Sequence, residues 1–75
     1  MKELIEFIAK SIVDDPLQVD VQEQMRRGEM KIELTVAEED MGRVIGRGGR
    51  VANAMRMLLR VPASQKGVRA RLDIV

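Results

Sequence analysis

Leu4, Ile5, Ile8, Ala9, Ile12 and Val13 recur at three- and four-residue spacing, which puts them on one broad face of a helix. The pattern predicts an amphipathic helix over residues 2–13. Asp15-Pro16 closes it, because the residue before a proline is pushed out of the helical region and the proline itself has no N–H to donate. The period then drops to two. Leu17, Val19 and Val21 alternate with Gln18, Asp20 and Gln22, as expected of a strand with one buried face that fades into polar residues towards Met25. After Arg26-Arg27-Gly28-Glu29 the alternation resumes, with Met30, Ile32, Leu34 and Val36 on one face and Lys31, Glu33 and Thr35 on the other. A short link containing glycine between two alternating runs predicts a hairpin.

Ala37-Glu38-Glu39-Asp40-Met41 opens a short helix whose first-turn acids oppose the positive end of the helix dipole. That start accounts for three adjacent carboxylates better than a metal site does, since no histidine or further oxygen cluster follows. The helix lasts about two turns before Gly46. Another begins after Gly49, with Val51, Ala52, Met55, Leu58 and Leu59 on its apolar face and Arg50, Asn53, Met57 and Arg60 opposite. Pro62 and Ala63-Ser64-Gln65-Lys66-Gly67 read as a loop, and Val68, Ala70, Leu72 and Ile74 alternate with Arg69, Arg71 and Asp73 as a last strand.

The order is α-β-β-α-α-β. One-faced strands and striped helices pack most economically as a two-layer α+β domain, with three helices on one face of a three-stranded mixed sheet. The hairpin makes the first two strands antiparallel, and the helical crossover lets the third run parallel to the second. Residues 1–75 form a single domain, without repeat, low-complexity segment or linker.

Composition narrows the function. A 75-residue domain buries only a little over half of the surface its unfolded chain exposes, so a deep catalytic pocket is not expected. The chain has no cysteine, and hence no disulfide or thiolate metal site, and no histidine, the commonest metal ligand and general base. Nothing calls for a cofactor, and no nucleophile–base pair suggests an enzyme. The start MKELIEFIAKSIV is too short and too charged for a membrane span or signal peptide, so the expected location is cytoplasmic. The net charge of +1 conceals a partition: residues 1–40 carry five basic and eleven acidic side chains, net −6, and residues 41–75 carry eight basic and one acidic, net +7. No acid occurs from Met41 to Leu72. Such asymmetry points the second half towards an anionic partner such as nucleic acid, the bland alternative being that the halves neutralise each other.

Three glycines and two arginines fall within five positions of the stretch VIGRGGRV, residues 44–51. A dinucleotide fingerprint would need glycine at position 51, where Val51 stands, and no Gly-Lys-Ser/Thr exists for a phosphate loop of the Walker type. What remains is Ile45-Gly46-Arg47-Gly48-Gly49, an I-G-x-x-G between two helices. Inside this order of elements it resembles the GXXG loop of a type II KH domain. The run Glu39-Asp40-Met41-Gly42-Arg43-Val44-Ile45-Gly46 and the overall length resemble the small bacterial single-KH RNA-binding proteins of the KhpA type, over nearly the whole chain. Gly48 departs from the basic or polar residue often found at the second variable loop position and leaves Arg47 as the loop's one charged side chain.

The resemblance implies single-stranded RNA as partner, with about four nucleotides in an apolar groove beside the loop. It implies the role of an RNA chaperone or post-transcriptional regulator. It also implies a homodimer, or a heterodimer with a larger KH-containing protein, and association with the ribosome. Independently of any resemblance, glycines that allow a sharp turn and close approach, beside a helix N-terminus, suit a phosphodiester. Arg43, Arg47 and Arg50 would add charge-assisted contacts. The expected binding set is Arg43, Ile45, Gly46, Arg47, Gly48, Gly49 and Arg50, with Arg47 and Arg50 foremost. Arg56 and Arg60 can be read as merely covering a helix, and Arg69 and Arg71 as pairing across the sheet. Phe7 is the only aromatic residue, which disfavours a stacking platform. Phe7 and Met57 fall off the apolar stripes, so the alternative is a protein–protein (dimerisation) module in which RNA binding is secondary.

Overall fold

The computed structural model describes all residues 1–75. Helix α1 spans Lys2–Ile12, strands β1 and β2 span Asp20–Arg26 and Glu29–Thr35, helices α2 and α3 span Met41–Ile45 and Arg50–Lys66, and strand β3 spans Arg69–Ile74. The sheet order is β1-β2-β3, antiparallel in the first pair and parallel in the second. This is the α+β order and mixed sheet that the periodicity predicts. The hairpin turns through Arg27 and Gly28, both at positive φ (48° and 80°), the combination that matches the twist of the flanking strands. Helices cover one face only: Ile5, Ala9, Val44, Met55 and Leu59 from the helices meet Val21, Met30, Ile32, Leu34 and Leu72 from the strands in one core.

Two elements differ from the sequence reading. Leu17 is not in a strand; it lies in a 3-10 turn, Pro16–Gln18, and is 94% exposed. Register explains this. Asp20 pairs with Thr35, so Leu17 would need a partner at Glu38, where the chain has already turned into a 3-10 helix. The link before that turn is fixed by Asp40, whose carboxylate is 2% exposed and accepts hydrogen bonds from the backbone N–H groups of Asp14 and Asp15, both at 3.1 Å. The acids at 38–40 are therefore more than a dipole-neutral start, since one of them clamps the α1–β1 connection.

The second difference is at Pro62, where α3 does not stop. It continues to Lys66, burying Ala63 in line with Ala52, Met55 and Leu59, so the missing N–H of one proline is outweighed by an added turn of packing. Gly67, at φ 69°, ends it: Gly67 N–H donates to the Ser64 carbonyl (3.1 Å) and Val68 N–H to the Ala63 carbonyl (2.9 Å), a Schellman motif. With the buried stripe centred on 52-55-59-63, Leu58 lies about 100° round the helix and is 53% exposed rather than in the apolar face.

Candidate nucleic-acid interface

Val44 anchors the loop from the core side, fully buried at the last turn of α2, and the chain then crosses to α3 in four residues. Gly46 has φ 78° and ψ 166°, a region essentially restricted to glycine. A Cβ placed there would stand 2.6 Å from Val51 Cγ2 and 2.8 Å from the Val51 backbone N. Gly46 is thus required twice over, by its dihedrals and by contact with the first turn of α3. Gly48 and Gly49 are both left-handed (φ 65° and 81°), but a Cβ on Gly48 would meet open space and one on Gly49 only Asn53 Nδ2, at 3.6 Å. Gly49 N–H donates to the Gly46 carbonyl at 3.0 Å, and Arg50 N–H to that of Arg47, closing a 3-10 turn directly onto the helix. An α3 that starts without any side-chain cap leaves first-turn N–H groups without intrahelical partners. Dipole and free N–H donors at this end favour an anion.

The charge is not evenly available. Arg43 is held by Asp14 (Nη2 to Oδ2, 3.1 Å) and lies 3.7 Å from Asp40, so it braces the α1–β1 link and is the most committed member of the expected set. Arg71 pairs with Asp73 on its own strand (3.3 Å) rather than with Glu33, which pairs with Lys31 (3.8 Å). Pairs along each strand win because the rungs of the ladder oppose like charges, Lys31 to Arg71 and Glu33 to Asp73. Arg47 and Arg50 are exposed and make no ion pair or side-chain hydrogen bond, nor do Arg60, Lys66 and Arg69. The two halves of the chain therefore neutralise each other only locally.

Beside the loop runs an open groove of about 620 Å³. Ile45, Gly49, Ala52 and Arg56 line it from the helical side, and Ile74, Val75, Arg71 and Asp73 from β3, with Lys31 and Glu33 behind. It is aliphatic only in part, at Ile45, Ala52, Ile74 and Val75. No aromatic side chain reaches it; Phe7 is 73% exposed on α1. Arg56 does more than cover a helix. Its Nε and Nη2 donate to the Leu72 carbonyl (3.2 and 3.1 Å) and its Nη1 to Asn53 Oδ1 (2.9 Å), which fixes a positive charge in the groove and caps the free edge of β3. Arg56, Ala52, Ile74 and Val75 line the groove beside the loop, a placement that motif reading does not reach. The one signal for them is the pair of alanines, 52 and 63, on an otherwise large apolar stripe, which leaves hollows beside Arg56.

A three-stranded mixed sheet under three helices in the order α-β-β-α-α-β, with a glycine loop between the last two helices, is the type II KH fold. The family model for the KH domain of KhpA and KhpB matches residues 2–74, and the chain belongs to that family. It is 43% identical to the RNA-binding protein KhpA of Clostridium perfringens over 75 residues, the whole of both chains. It is 44% identical to the RNA-binding protein KhpA of Clostridium acetobutylicum, again over both whole chains. Identity to the protein of that name from Treponema pallidum is 42% over 74 residues, 99% of this chain and 92% of that one. No solved structure matches the chain. No helix is long and apolar enough to cross a membrane.

Proposed function

We propose that this chain binds single-stranded RNA in the cytoplasm, holding the sugar–phosphate backbone at Gly46–Arg50 and laying about four nucleotides along the groove. Membership of a family whose relatives are named as RNA-binding proteins supports the reading. The observation that carries it is the loop: three positive-φ glycines turn the chain directly onto the uncapped N-terminus of α3, flanked by two arginines without intramolecular partners. Gly46 and Gly49 position the phosphate, Arg47 and Arg50 strengthen the hold, and Ile45, Ile74 and Val75 offer aliphatic surface to bases. Arg43 contributes less, because Asp14 already competes for it. A role as an RNA chaperone or post-transcriptional regulator is part of this proposal. Ribosome association belongs to the same reading.

One further observation favours a pairing surface alongside. Met57, Leu58 and Val61 are 62%, 53% and 64% exposed and adjacent on the outer surface of α3. A second copy, or a larger KH-containing protein, would cover them without blocking the loop.

Fluorescence anisotropy of a short labelled RNA strand at two salt concentrations tests the proposal. Arg47→Asp with Gly48→Asp is the informative variant, since position 48 has open space and aspartate tolerates the left-handed conformation. Three or four phosphate contacts give a log–log salt slope of roughly −2 to −3 for the wild type. Undiminished binding by the variant would move the site elsewhere.

A further inference from the structure

Sharing Arg56 with the loop groove is a second hollow of about 480 Å³. Arg56, Arg60 and Arg69 form its rim, Ser64 is its neutral polar member, and Ala63 and Val68 form its floor. It exists because the Schellman end of α3 folds the chain back at once, so that β3 starts directly under the last turns of the helix, and because Ala63 is small. Arg60 and Arg69 come from opposite walls and neither has an acidic partner. Where the loop groove includes Glu33 and Asp73, this hollow has no acid at all.

The β3 edge runs along both hollows. Arg69 N–H donates to Gly28 and Val75 N–H to Leu34, so odd positions of the strand face β2 and even positions face outward. Of the outward carbonyls, that of Leu72 is occupied by Arg56, whereas Ala70 in the second hollow presents its N–H and C=O to solvent. On α3, Asn53, Arg56, Arg60 and Ser64 follow at three- and four-residue spacing along the flank above this edge. At 1.5 Å per residue, Arg60 lies about 16 Å along the helix from Gly49, beyond the reach of the loop itself.

We propose that the hollow is a second backbone-phosphate site for the same RNA strand. A strand longer than the four nucleotides at the loop continues along the α3–β3 seam. It places one or two further phosphates between the Arg60 and Arg69 guanidiniums, within reach of the Ser64 hydroxyl, while the Ala70 main chain offers a donor and an acceptor to the adjoining base. This rests on the reading of the loop as the first backbone site.

The test compares oligouridylates of four, six and eight nucleotides, read by anisotropy with the full chain, so that the shortest fills the loop groove alone. The variants are Arg60→Gln with Arg69→Gln, and, as a control for charge, Arg26→Gln with Arg27→Gln at the hairpin. Comparison at each length cancels the extra registers that a longer strand offers. The Arg60/Arg69 variant is expected to match the wild type on the four-mer and to bind the eight-mer roughly five- to tenfold more weakly, whereas the hairpin control changes neither. For the eight-mer, two lost phosphate contacts also make the salt slope shallower by about 1.4. An equal loss at all lengths, no loss at any, or the same loss in the hairpin control overturns the second site. A loop variant that binds the four-mer like the wild type would instead sink the loop reading, and the length dependence would still decide the hollow.

Discussion

Replacing Gly46 by alanine separates a geometric requirement from a merely flexible loop. The position combines φ 78° and ψ 166° with a Cβ site 2.6 Å from Val51 Cγ2 and 2.8 Å from Val51 N. Holding an L-residue in such a region costs on the order of 1–3 kcal/mol. The clash adds roughly 1–3 kcal/mol, because one of its partners is helix backbone that moves only with α3. Together these give about 2–6 kcal/mol, against a total stability of roughly 4–11 kcal/mol for a domain this size. Gly48→Ala meets only the left-handed penalty, about 1–2 kcal/mol, since nothing stands within 4 Å of its Cβ. At about 4–8 °C per kcal/mol, thermal unfolding followed by circular dichroism should place Gly46→Ala some 10–45 °C below the wild type and Gly48→Ala about 5–15 °C below. Equal midpoints for the two variants would refute the claim that contact with Val51, rather than loop flexibility, demands the first glycine.

Three other changes probe the frame around the site. Asp40→Asn turns an NH2 group towards one of the two backbone N–H donors it now satisfies, and should lower stability by about 2–3 kcal/mol, read as an earlier urea midpoint; an unchanged midpoint would remove Asp40 from the clamp. Pro62→Ala restores a helix N–H within α3 and should raise stability by about 1–2 kcal/mol, the helical gain being partly offset by a freer unfolded chain; a fall would mean that Pro62 contributes packing that outweighs its backbone cost. Arg56→Ala uncaps the Leu72 carbonyl on the free edge of β3, with an expected loss of about 1 kcal/mol and a concentration-dependent rise in sedimentation coefficient from edge pairing; a variant that stays as monodisperse as the wild type contradicts the capping role.

Element types and order were legible because each has a clean period: Leu4 to Ile12 at helical spacing, Met30 to Val36 and Val68 to Ile74 at spacing two. Both misreadings arose where local pattern met a tertiary constraint. Leu17, Val19 and Val21 alternate as a strand would, but strand length is set by the partner, and β2 has none to offer beyond Thr35. Pro62 is a local breaker, yet burial of Ala63 just beyond it carries the helix on to its cap at Gly67. The glycine loop was legible as a motif because backbone freedom leaves a mark in residue type. The state of each arginine was not: Arg43 and Arg50 look alike in sequence, and only the fold brings Asp14, 29 residues away, against one and nothing against the other. Arg56 is the opposite case, a helix-surface arginine that becomes part of the groove because β3 presents a free carbonyl to it.

Whether RNA backbone is held where α2 gives way to α3 is read by following backbone amide resonances during titration with a short single-stranded RNA. The amides of Gly46 to Val51 should shift first and furthest, followed by those of Ile45, Ala52 and Ile74 along the groove. Shifts centred on the Arg26–Arg27 hairpin or on the Met57–Val61 face of α3, with the glycine loop unmoved, would contradict it.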